Sequence, residues 1–268
     1  MSTPAKPALI YLLPALEAPH VTVLRRKPRG VFHILKWDTR RDTVESGSWF
    51  SGQISLEACD VSFDGKWLVY SARGRGHKEW SGVCQPPWLR TVVHDNPNHP
   101  GLGGGFWMSR SKLCLGYWDF GDATVPFWGT HYTTEPQIAR EVRSGVGFLV
   151  SRLRRDGWER DDSRLEFGDY PAKRPWIVHD EWTHRPSRKH PTLRIVLRPR
   201  SPRPYSFALD GEDGLLDEGV TWATWDCRKN LLFARTGVLY RFDLKALRSG
   251  DPSFILDLEP LHRGAPDE

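Results

Sequence analysis

Residues 59–74 have the sequence CDVSFDGKWLVYSARG, in which two short alternating segments flank a polar turn. The turn is Asp-Gly-Lys at residues 64–66, and the second alternating segment covers residues 67–72. An Asp-Gly pair between two alternating segments is among the strongest short-range signals for a β-hairpin. This stretch therefore predicts two antiparallel strands joined by a tight turn.

Two further segments repeat this order of aromatic residue, polar turn and apolar strand, namely GFWMSRSKLCLGYW at residues 105–118 and TWATWDCRKNLLFAR at residues 221–235. The first two turns lie about 46 residues apart, and one four-stranded propeller blade occupies about 40–50 residues. The spacing predicts an all-β fold, a single β-propeller of about five blades, with six as the other count, covering residues 1–268. A β-sandwich or barrel with unrelated hairpins is the alternative.

The segments around Asp64 and Trp225 resemble the strand-turn-strand unit of WD-like and Tol-type propeller repeats. The resemblance is local. The second and third segments depart from it, with Ser-Arg-Ser-Lys and Asp-Cys-Arg-Lys-Asn in place of Asp-Gly-Lys. The motif residues of such repeats are structural, so the resemblance implies a propeller and no functional residue.

Strands near both chain ends are expected to close the ring by meeting in one blade, because an open ring leaves exposed sheet edges. Ala8–Leu13 and Phe254–Leu256 are the candidates. The short ends, residues 1–7 and 264–268, are expected to be disordered.

One short helix at most is expected, in residues 135–145, which start with Glu-Pro and stop at Gly. Residues 148–153, with the sequence FLVSRL, lead to a turn marked by Asp156-Gly157. All other regular structure is expected to be β.

Composition indicates a water-soluble β protein. The 268 residues include 13 Trp and 12 Phe, which favour strands, and the mean hydropathy is -0.52. The apolar residues 8–13 are too short to span a membrane and are followed by Pro14, so we expect neither a secretory signal nor a membrane contact, and a cytoplasmic bacterial protein. The four cysteines lack metal-ligand spacing and are predicted to be buried free thiols, so neither a metal nor a cofactor is expected.

The densest cluster of titratable side chains is HDEWTH at residues 179–184. Two imidazoles and two carboxylates bind a metal or act as general acid and base only where they converge, and neighbours on a strand point in opposite directions. We therefore predict no catalytic residue here, and interpret the segment as a solvated polar loop between two paired strands. The candidate binding residues, drawn from this segment, the loop after it and the long link at residues 123–145, are Trp128, His131, Tyr132, His179, Asp180, Trp182, His184, Arg185 and Arg188.

Positive charge is concentrated after this cluster. Residues 182–209 contain no acidic residue, and their cations are Arg185, Arg188, Lys189, Arg194, Arg198, Arg200 and Arg203. Such a run can track phosphates, with nearby aromatic side chains for stacking, or it can keep an outer strand soluble. For this run we expect an acidic protein partner ahead of nucleic acid.

Three functions follow from these observations. The leading one is a non-catalytic propeller that presents loops as a platform for another protein. The second is a five-bladed propeller that binds or hydrolyses glycans, which requires two carboxylates about 5–10 Å apart under exposed tryptophans. The third is a nucleic-acid binder, which requires a continuous basic stripe joining residues 185–203 to Arg152, Arg154 and Arg155.

Overall fold

A computed structural model describes residues 7–28, 30–74, 79–94, 103–115, 131–133, 145–168, 176–199, 201, 204–212 and 214–263. Except for residue 7, the ends expected to be disordered lie outside these residues. The described strands form five sheets that follow one another along the chain. We number them sheets 1 to 5.

Sheets 1 and 5 are four-stranded antiparallel meanders in chain order. Sheet 1 consists of β1 (Leu9–Pro14), β2 (His20–Lys27), β3 (Val31–Asp38) and β4 (Thr43–Ser51). Sheet 5 consists of β18 (Val220–Trp225), β19 (Leu231–Arg235), β20 (Val238–Phe242) and β21 (Phe254–Asp257).

Sheets 2 and 4 have five strands each, because a short strand pairs beside the main path. Sheet 2 consists of β5 (Gln53–Ile54), β6 (Asp60–Val61), β7 (Leu68–Arg73), β8 (Glu79–Cys84) and β9 (Thr91–His94). Sheet 4 consists of β13 (Glu159–Arg160), β14 (Glu166–Gly168), β15 (Trp176–His184), β16 (Leu193–Leu197) and β17 (Tyr205–Leu209).

Sheet 3 differs from the other four. It consists of β10 (Gly105–Ser109), β11 (Lys112–Leu115) and β12 (His131–Thr133), and β12 runs parallel to β11. A propeller blade is a four-stranded antiparallel sheet, so within the described residues sheet 3 is not a full blade. The arrangement is therefore propeller-like with four blades, and the expected count of about five or six was wrong.

The three predicted hairpins are confirmed. In the first, β6 and β7 are antiparallel, with Asp60 opposite Val69. Gly65 has φ +72 in the intervening turn, a backbone conformation that glycine adopts without strain. The second and third hairpins are β10 with β11 and β18 with β19.

The two chain ends do not share a blade. In the described residues β1 pairs with β2 and β21 pairs with β20, so the expected closure by strands of one sheet is not confirmed. Sheets 1 and 5 instead meet through side chains. Thr221 Oγ1 donates to the Ile10 carbonyl at 2.9 Å and accepts from the Ile10 amide at 3.2 Å, and the Ala8 amide donates to Glu259 Oε1 at 2.8 Å.

The described residues contain two α-helices, whereas one short helix at most was expected. The segment expected to form it, residues 135–145, lies outside the described part except for residue 145. Helix α1 (Gly145–Arg155) contains the apolar residues before the Asp-Gly turn, and helix α2 (Leu244–Ser249) is capped by Asp243. In α1 the apolar positions 146, 149, 150 and 153 follow i, i+3, i+4, i+7 spacing, so one face of the helix packs on the core. The predicted turn is present, with Gly157 at φ +81.

The largest cluster of buried apolar side chains draws on sheets 1, 2, 4 and 5 and on α1. Cys59, Cys84 and Cys114 are buried free thiols as predicted, and Cys227 is a half-buried one. Among the described residues, no helix has the length and apolar character needed to cross a membrane.

The side-chain junction between sheets 1 and 5 leads to a stability prediction. Thr221→Val keeps the shape of the side chain and removes the hydroxyl shared with Ile10. We expect a loss of about 1–3 kcal/mol in the free energy of unfolding by urea. The exposed Thr43 is the control, because Thr43→Val should change this free energy by less than about 0.5 kcal/mol. Equal effects of the two substitutions would show that the junction carries no stability.

A buried histidine in sheet 1 gives a pH prediction. His33 is fully buried, its Nε2 lies 2.8 Å from Ser46 Oγ and its ring stacks on Trp49 at 4.0 Å. Burial lowers the pKa of His33 to about 4. The unfolded chain therefore binds the proton first as pH falls, so this group's stabilisation is complete above pH ~6.5 and is lost toward pH 4.

We expect the free energy of unfolding to fall by up to about 3 kcal/mol more in the wild type than in His33→Gln between pH 7 and pH 4. Urea denaturation at several pH values measures both. Parallel pH profiles would contradict the assignment.

Candidate functional site

Helix α1 places two arginines where sheets 1, 2 and 3 meet. Arg152 donates to Tyr11 Oη of β1 and to the carbonyl of Cys59, just before β6. Arg155 lies on the same side of the helix, one turn later, since residues three apart are neighbours on a helix. It donates to the Trp107 carbonyl at 2.7 Å and forms a buried ion pair with Asp60.

The same guanidinium also holds Asp156. Arg155 Nε lies 2.7 Å from Asp156 Oδ1. Burial works against the charge of Arg155, but Asp60 and Asp156 outweigh it and raise the pKa of Arg155. Burial raises the pKa of Asp156, and Arg155 only partly offsets this effect. The centre is thus a set of mutually paired charges.

Two small cavities lie beside this set and share Pro14, Asp156, Trp158 and Thr224 as lining residues. The first measures about 20 Å³ and is also lined by Trp222. The second measures about 70 Å³. Pockets for small-molecule ligands typically measure about 300–1,000 Å³. These cavities admit water molecules or a few non-hydrogen atoms, but neither a sugar ring nor a nucleotide.

A glycan function requires two available carboxylates under exposed tryptophans, and this centre does not provide them. Asp60 and Asp156 both contact one guanidinium and line the smaller cavity, so their charges are already neutralised. The tryptophans beside them are buried, with Trp158 7% and Trp222 4% exposed. An aromatic face that stacks on a sugar must be accessible, and these two are not.

The cluster at residues 179–184 is placed on strand β15, so the expected solvated loop was wrong. Asp180 is fully buried and accepts from Arg160 Nε at 2.7 Å and Arg160 Nη2 at 2.8 Å. Trp182 is also fully buried, and the Arg160 guanidinium lies over its ring at 5.3 Å. Both side chains therefore stabilise sheet 4 and are not available to a partner.

The other face of β15 carries His179 and Glu181, with His179 Nε2 3.7 Å from Glu181 Oε2. Glu181 also pairs with Arg194 Nε at 3.0 Å. The prediction that His179 and Asp180 diverge thus agrees with the structure. Within the described ranges, His, Cys, Asp and Glu side chains form no group able to hold a metal ion.

The remaining candidate residues fall in different places. His184 lines the larger cavity. Arg185 donates to the carbonyls of His190 and Arg188 at 2.9 and 2.7 Å, so it shapes its own loop, while Arg188 is exposed. Trp128 lies outside the described residues. His131 and Tyr132 lie on β12, opposite residues 112 and 113 of β11.

Six turns come together at one end of the sheets, and we call this end the turn face. It consists of residues 15–19, 39–42, 62–67, 110–111, 185–192 and 226–230. Direct contacts join these turns. Thr39 Oγ1 donates to Asp226 Oδ2 at 2.8 Å, the His190 and Trp225 rings lie 5.5 Å apart, and Arg110 Nε lies 2.8 Å from Glu17 Oε2.

Three of these turns repeat one local structure. An aspartate accepts the backbone amide two residues later: Asp38 from Arg40 at 2.9 Å, Asp64 from Lys66 at 3.1 Å and Asp226 from Arg228 at 2.9 Å. Such Asx turns direct the carboxylate toward the backbone. The residue that donates the amide is a cation in every case.

The turn face consequently has an excess of positive charge. Six of its exposed cations form adjacent pairs in the turns of sheets 1, 4 and 5, namely Arg40 with Arg41, Arg188 with Lys189, and Arg228 with Lys229. Lys66, Arg110 and Arg185 are exposed there as well, and Lys66 and Arg110 pair with Asp64 and Glu17. Asp226 is buried, and both of its oxygens accept hydrogen bonds from Thr39, Asn230 and the turn backbone. Asp38 lies 3.9 Å from Arg41.

The basic run at residues 185–203 does not form one stripe. Arg188 and Lys189 lie on the turn face, Arg194 is held by Glu181 and Asp210, and Arg198 lies at the other end of β16. Arg200 and Arg203 lie outside the described residues. Of the three arginines that the nucleic-acid function required, Arg152 and Arg155 are buried in the centre and Arg154 is exposed.

Sequence reasoning missed the charges of the turns at residues 39–42 and 226–230. The available signal was their position, since each Arg-Arg or Arg-Lys pair follows an aspartate at the equivalent turn of a hairpin. It also missed Asp156 and Thr224, which line both cavities.

Comparison with known proteins gives only weak likenesses. No family model and no curated protein matches the chain. An uncharacterized protein of Listeria monocytogenes is 12% identical over 94% of this chain and 84% of that protein, with a TM-score of 0.33. The AtxE2 isopeptidase, solved with astexin-3 bound, is 13% identical over 90% of this chain, with a TM-score of 0.28, and the chain spans 45% of its length. At these identities and TM-scores, no function can be inferred from either protein. The resemblance to WD-like and Tol-type repeats is limited to the hairpins and the propeller-like arrangement of the sheets.

The buried ion pair at the centre gives a prediction. Arg155→Met removes the partner of Asp60, which is 1% exposed, and leaves that carboxylate buried without a cation. We expect a loss of about 3–5 kcal/mol in the free energy of unfolding by urea. Arg248→Met, at an exposed position in α2, is the control and should have little effect. Combining Arg155→Met with Asp60→Asn should recover part of the loss, and a fully additive double variant would contradict the pairing.

Proposed function

We propose that this chain is a non-catalytic, propeller-like protein that binds an acidic segment of another protein on its turn face. The observation that carries the proposal is the grouping of cations there. Three turns from three sheets each display two adjacent cations, while the carboxylates of the same turns are hydrogen-bonded to backbone amides. The cations of the turn face outnumber its carboxylates, so an excess of positive charge remains for a partner.

The centre supports a non-catalytic function. Its carboxylates Asp60 and Asp156 are paired with Arg155, and the adjoining cavities measure about 20 and 70 Å³. Catalysis by carboxylates requires a substrate within hydrogen-bond reach of groups that can exchange protons. Because its cavities are small and its carboxylates are paired with Arg155, the centre serves the structure. The binding surface of the chain then lies outside the centre.

A protein partner fits the turn face better than nucleic acid does. Beside the cation pairs of sheets 4 and 5, the rings of Trp225 and His190 are 5% and 8% exposed, so neither provides a platform for base stacking. The cations also occur as three separated pairs and not as a groove that follows a phosphate backbone. Carboxylates spaced along a flexible acidic segment can reach all three pairs.

Charge of this kind governs the rate and salt dependence of association. Exposed cations attract an acidic partner over distances comparable to the Debye length, about 8 Å at physiological ionic strength. Each exposed pair contributes little affinity alone. Binding at this surface is therefore fast and salt-sensitive. We also propose that the protein is bacterial and cytoplasmic.

Charge reversal on the turn face tests the proposal. A fluorescein-labelled peptide of ten glutamates serves as the acidic probe, and fluorescence anisotropy measures its binding. We expect Arg188→Glu with Lys189→Glu, and separately Arg228→Glu with Lys229→Glu, to weaken binding by about tenfold or more, and added salt to weaken wild-type binding.

The matched control reverses two exposed cations away from this face, Arg26→Glu with Arg198→Glu, and should leave the affinity within about twofold. Equal losses in control and test variants would show that net charge, not the turn face, binds the peptide. A single-stranded oligonucleotide that binds more tightly than the peptide and loses affinity in the turn-face variants would replace the protein partner with nucleic acid.

A further inference from the structure

The larger cavity opens within the turn face. Its lining includes His184 and Pro186, at the start of the turn that carries Arg188 and Lys189. It also includes Asp226 and Cys227, in the turn that carries Arg228 and Lys229. A segment bound by these two cationic pairs would therefore pass over the mouth of the cavity.

Three residues that line this cavity have polar side-chain atoms without a hydrogen-bond partner among the described residues. Thr224 is 8% exposed, and its hydroxyl makes no hydrogen bond within the described part of the chain. Asp156 uses Oδ1 to accept from Arg155, while its Oδ2 accepts from no described residue. The His184 ring contacts the Trp158 ring at 5.4 Å, and neither ring nitrogen is hydrogen-bonded to a described residue.

A nearly buried hydroxyl without a partner costs free energy, so such groups are normally satisfied by water or by a ligand. Asp156 Oδ2 offers an acceptor beside this hydroxyl, which can donate or accept. Burial lowers the pKa of His184, so its ring is neutral at pH 7 and offers one donor and one acceptor. The cavity therefore offers both donors and acceptors.

Charge and size restrict what can enter. An ammonium or guanidinium group would have to pass between the cationic pairs of the two turns, which repel it. A carboxylate would place a second acceptor-only group beside Asp156 Oδ2, and two carboxylate oxygens cannot hydrogen-bond to each other. A neutral group with N–H donors and a carbonyl acceptor meets neither obstacle. Its N–H groups suit Asp156 Oδ2, its carbonyl suits the Thr224 hydroxyl, and the Trp158 and Trp225 side chains lining the cavity suit a flat group.

We propose that this cavity binds a primary carboxamide, and that the natural source is an asparagine or glutamine side chain in the acidic segment. The assignment to a side chain of the acidic segment rests on the proposed function. The binding of a carboxamide in the cavity does not depend on it. At about 70 Å³ the cavity holds the few non-hydrogen atoms of such a head group and excludes a larger one. The contact would give the turn face a requirement beyond negative charge.

The first experiment tests the cavity without any peptide. Propionamide is titrated into the full chain, and NMR follows the indole N–H signal of Trp225, whose Nε1 donates to the His184 carbonyl at the cavity wall. We expect a saturable shift in the wild type that weakens at least about fivefold in Thr224→Val, which keeps shape and loses the hydroxyl. Thr183→Val is the control, because Thr183 points to the other face of β15 from Trp182 and His184. No saturable shift, or the same affinity in Thr224→Val, would overturn the proposal.

The second experiment tests the source. The glutamate peptide carries Gln, Ala, Lys or a further Glu at its central position, and anisotropy gives each affinity. We expect the Gln peptide to bind about tenfold more tightly than the Ala peptide, and Thr224→Val to remove this preference without changing the affinity for the Ala peptide. Preference for Lys or Glu would overturn the assignment of a carboxamide.

The two proposals fail in different ways. If all four peptides bind equally and the turn-face variants weaken them equally, the acidic platform stands and the side-chain source is wrong. If no peptide binds but propionamide does, the platform is wrong and the cavity is a site for a free amide.

Discussion

The guanidinium of Arg155 is the interaction on which the centre of this molecule depends. It joins Asp60 of sheet 2, the carbonyl of Trp107 in sheet 3 and the first residue after α1. Charges removed from water are tolerated only when their pairing and hydrogen bonding offset the lost hydration. That requirement leaves the carboxylates no freedom to act on a substrate. For this reason we propose that function lies in the turns, which solvent and other molecules can reach.

The charge of the turn face follows from how the hairpins are built. Asp38, Asp64 and Asp226 occupy the first position of their turns because a carboxylate there accepts the backbone amide two residues later. The Asp226 carboxylate is directed inward by this bond, whereas Asp64 stays exposed and pairs with Lys66 at 3.1 Å. The cations that follow these aspartates are exposed. Repeating the turn in several sheets places these cations at the same end. A structural device thus produces a charged surface as a by-product.

Local features such as turns were predictable from the sequence. The pairing of strands and of charged side chains that lie far apart in the sequence was not. The hairpin at residues 59–74 follows from its Asp-Gly turn, which needs no information from elsewhere. The blade count failed because it depends on which strands pair, and β12 joins sheet 3 in parallel. Residues 179–184 seemed suited to a solvated loop because Asp180 is ionic, and its partner Arg160 lies 20 residues away. The linear run of cations suggested a stripe, whereas the chain carries Arg198 to the other end of the sheet.

Exposed cations alone do not make a selective binding surface. Their attraction falls off slowly with distance and acts on any acidic polymer, so it sets the rate of encounter more than the choice of partner. Selectivity requires a group whose absence leaves a buried polar atom unpaired, because that penalty is short-ranged and specific. In the proposed site Thr224 would supply such a group, since it is 8% exposed and lines the cavity together with Asp156. On that proposal, the long-range charge of the turns would provide fast encounter and the Thr224 hydroxyl would provide discrimination.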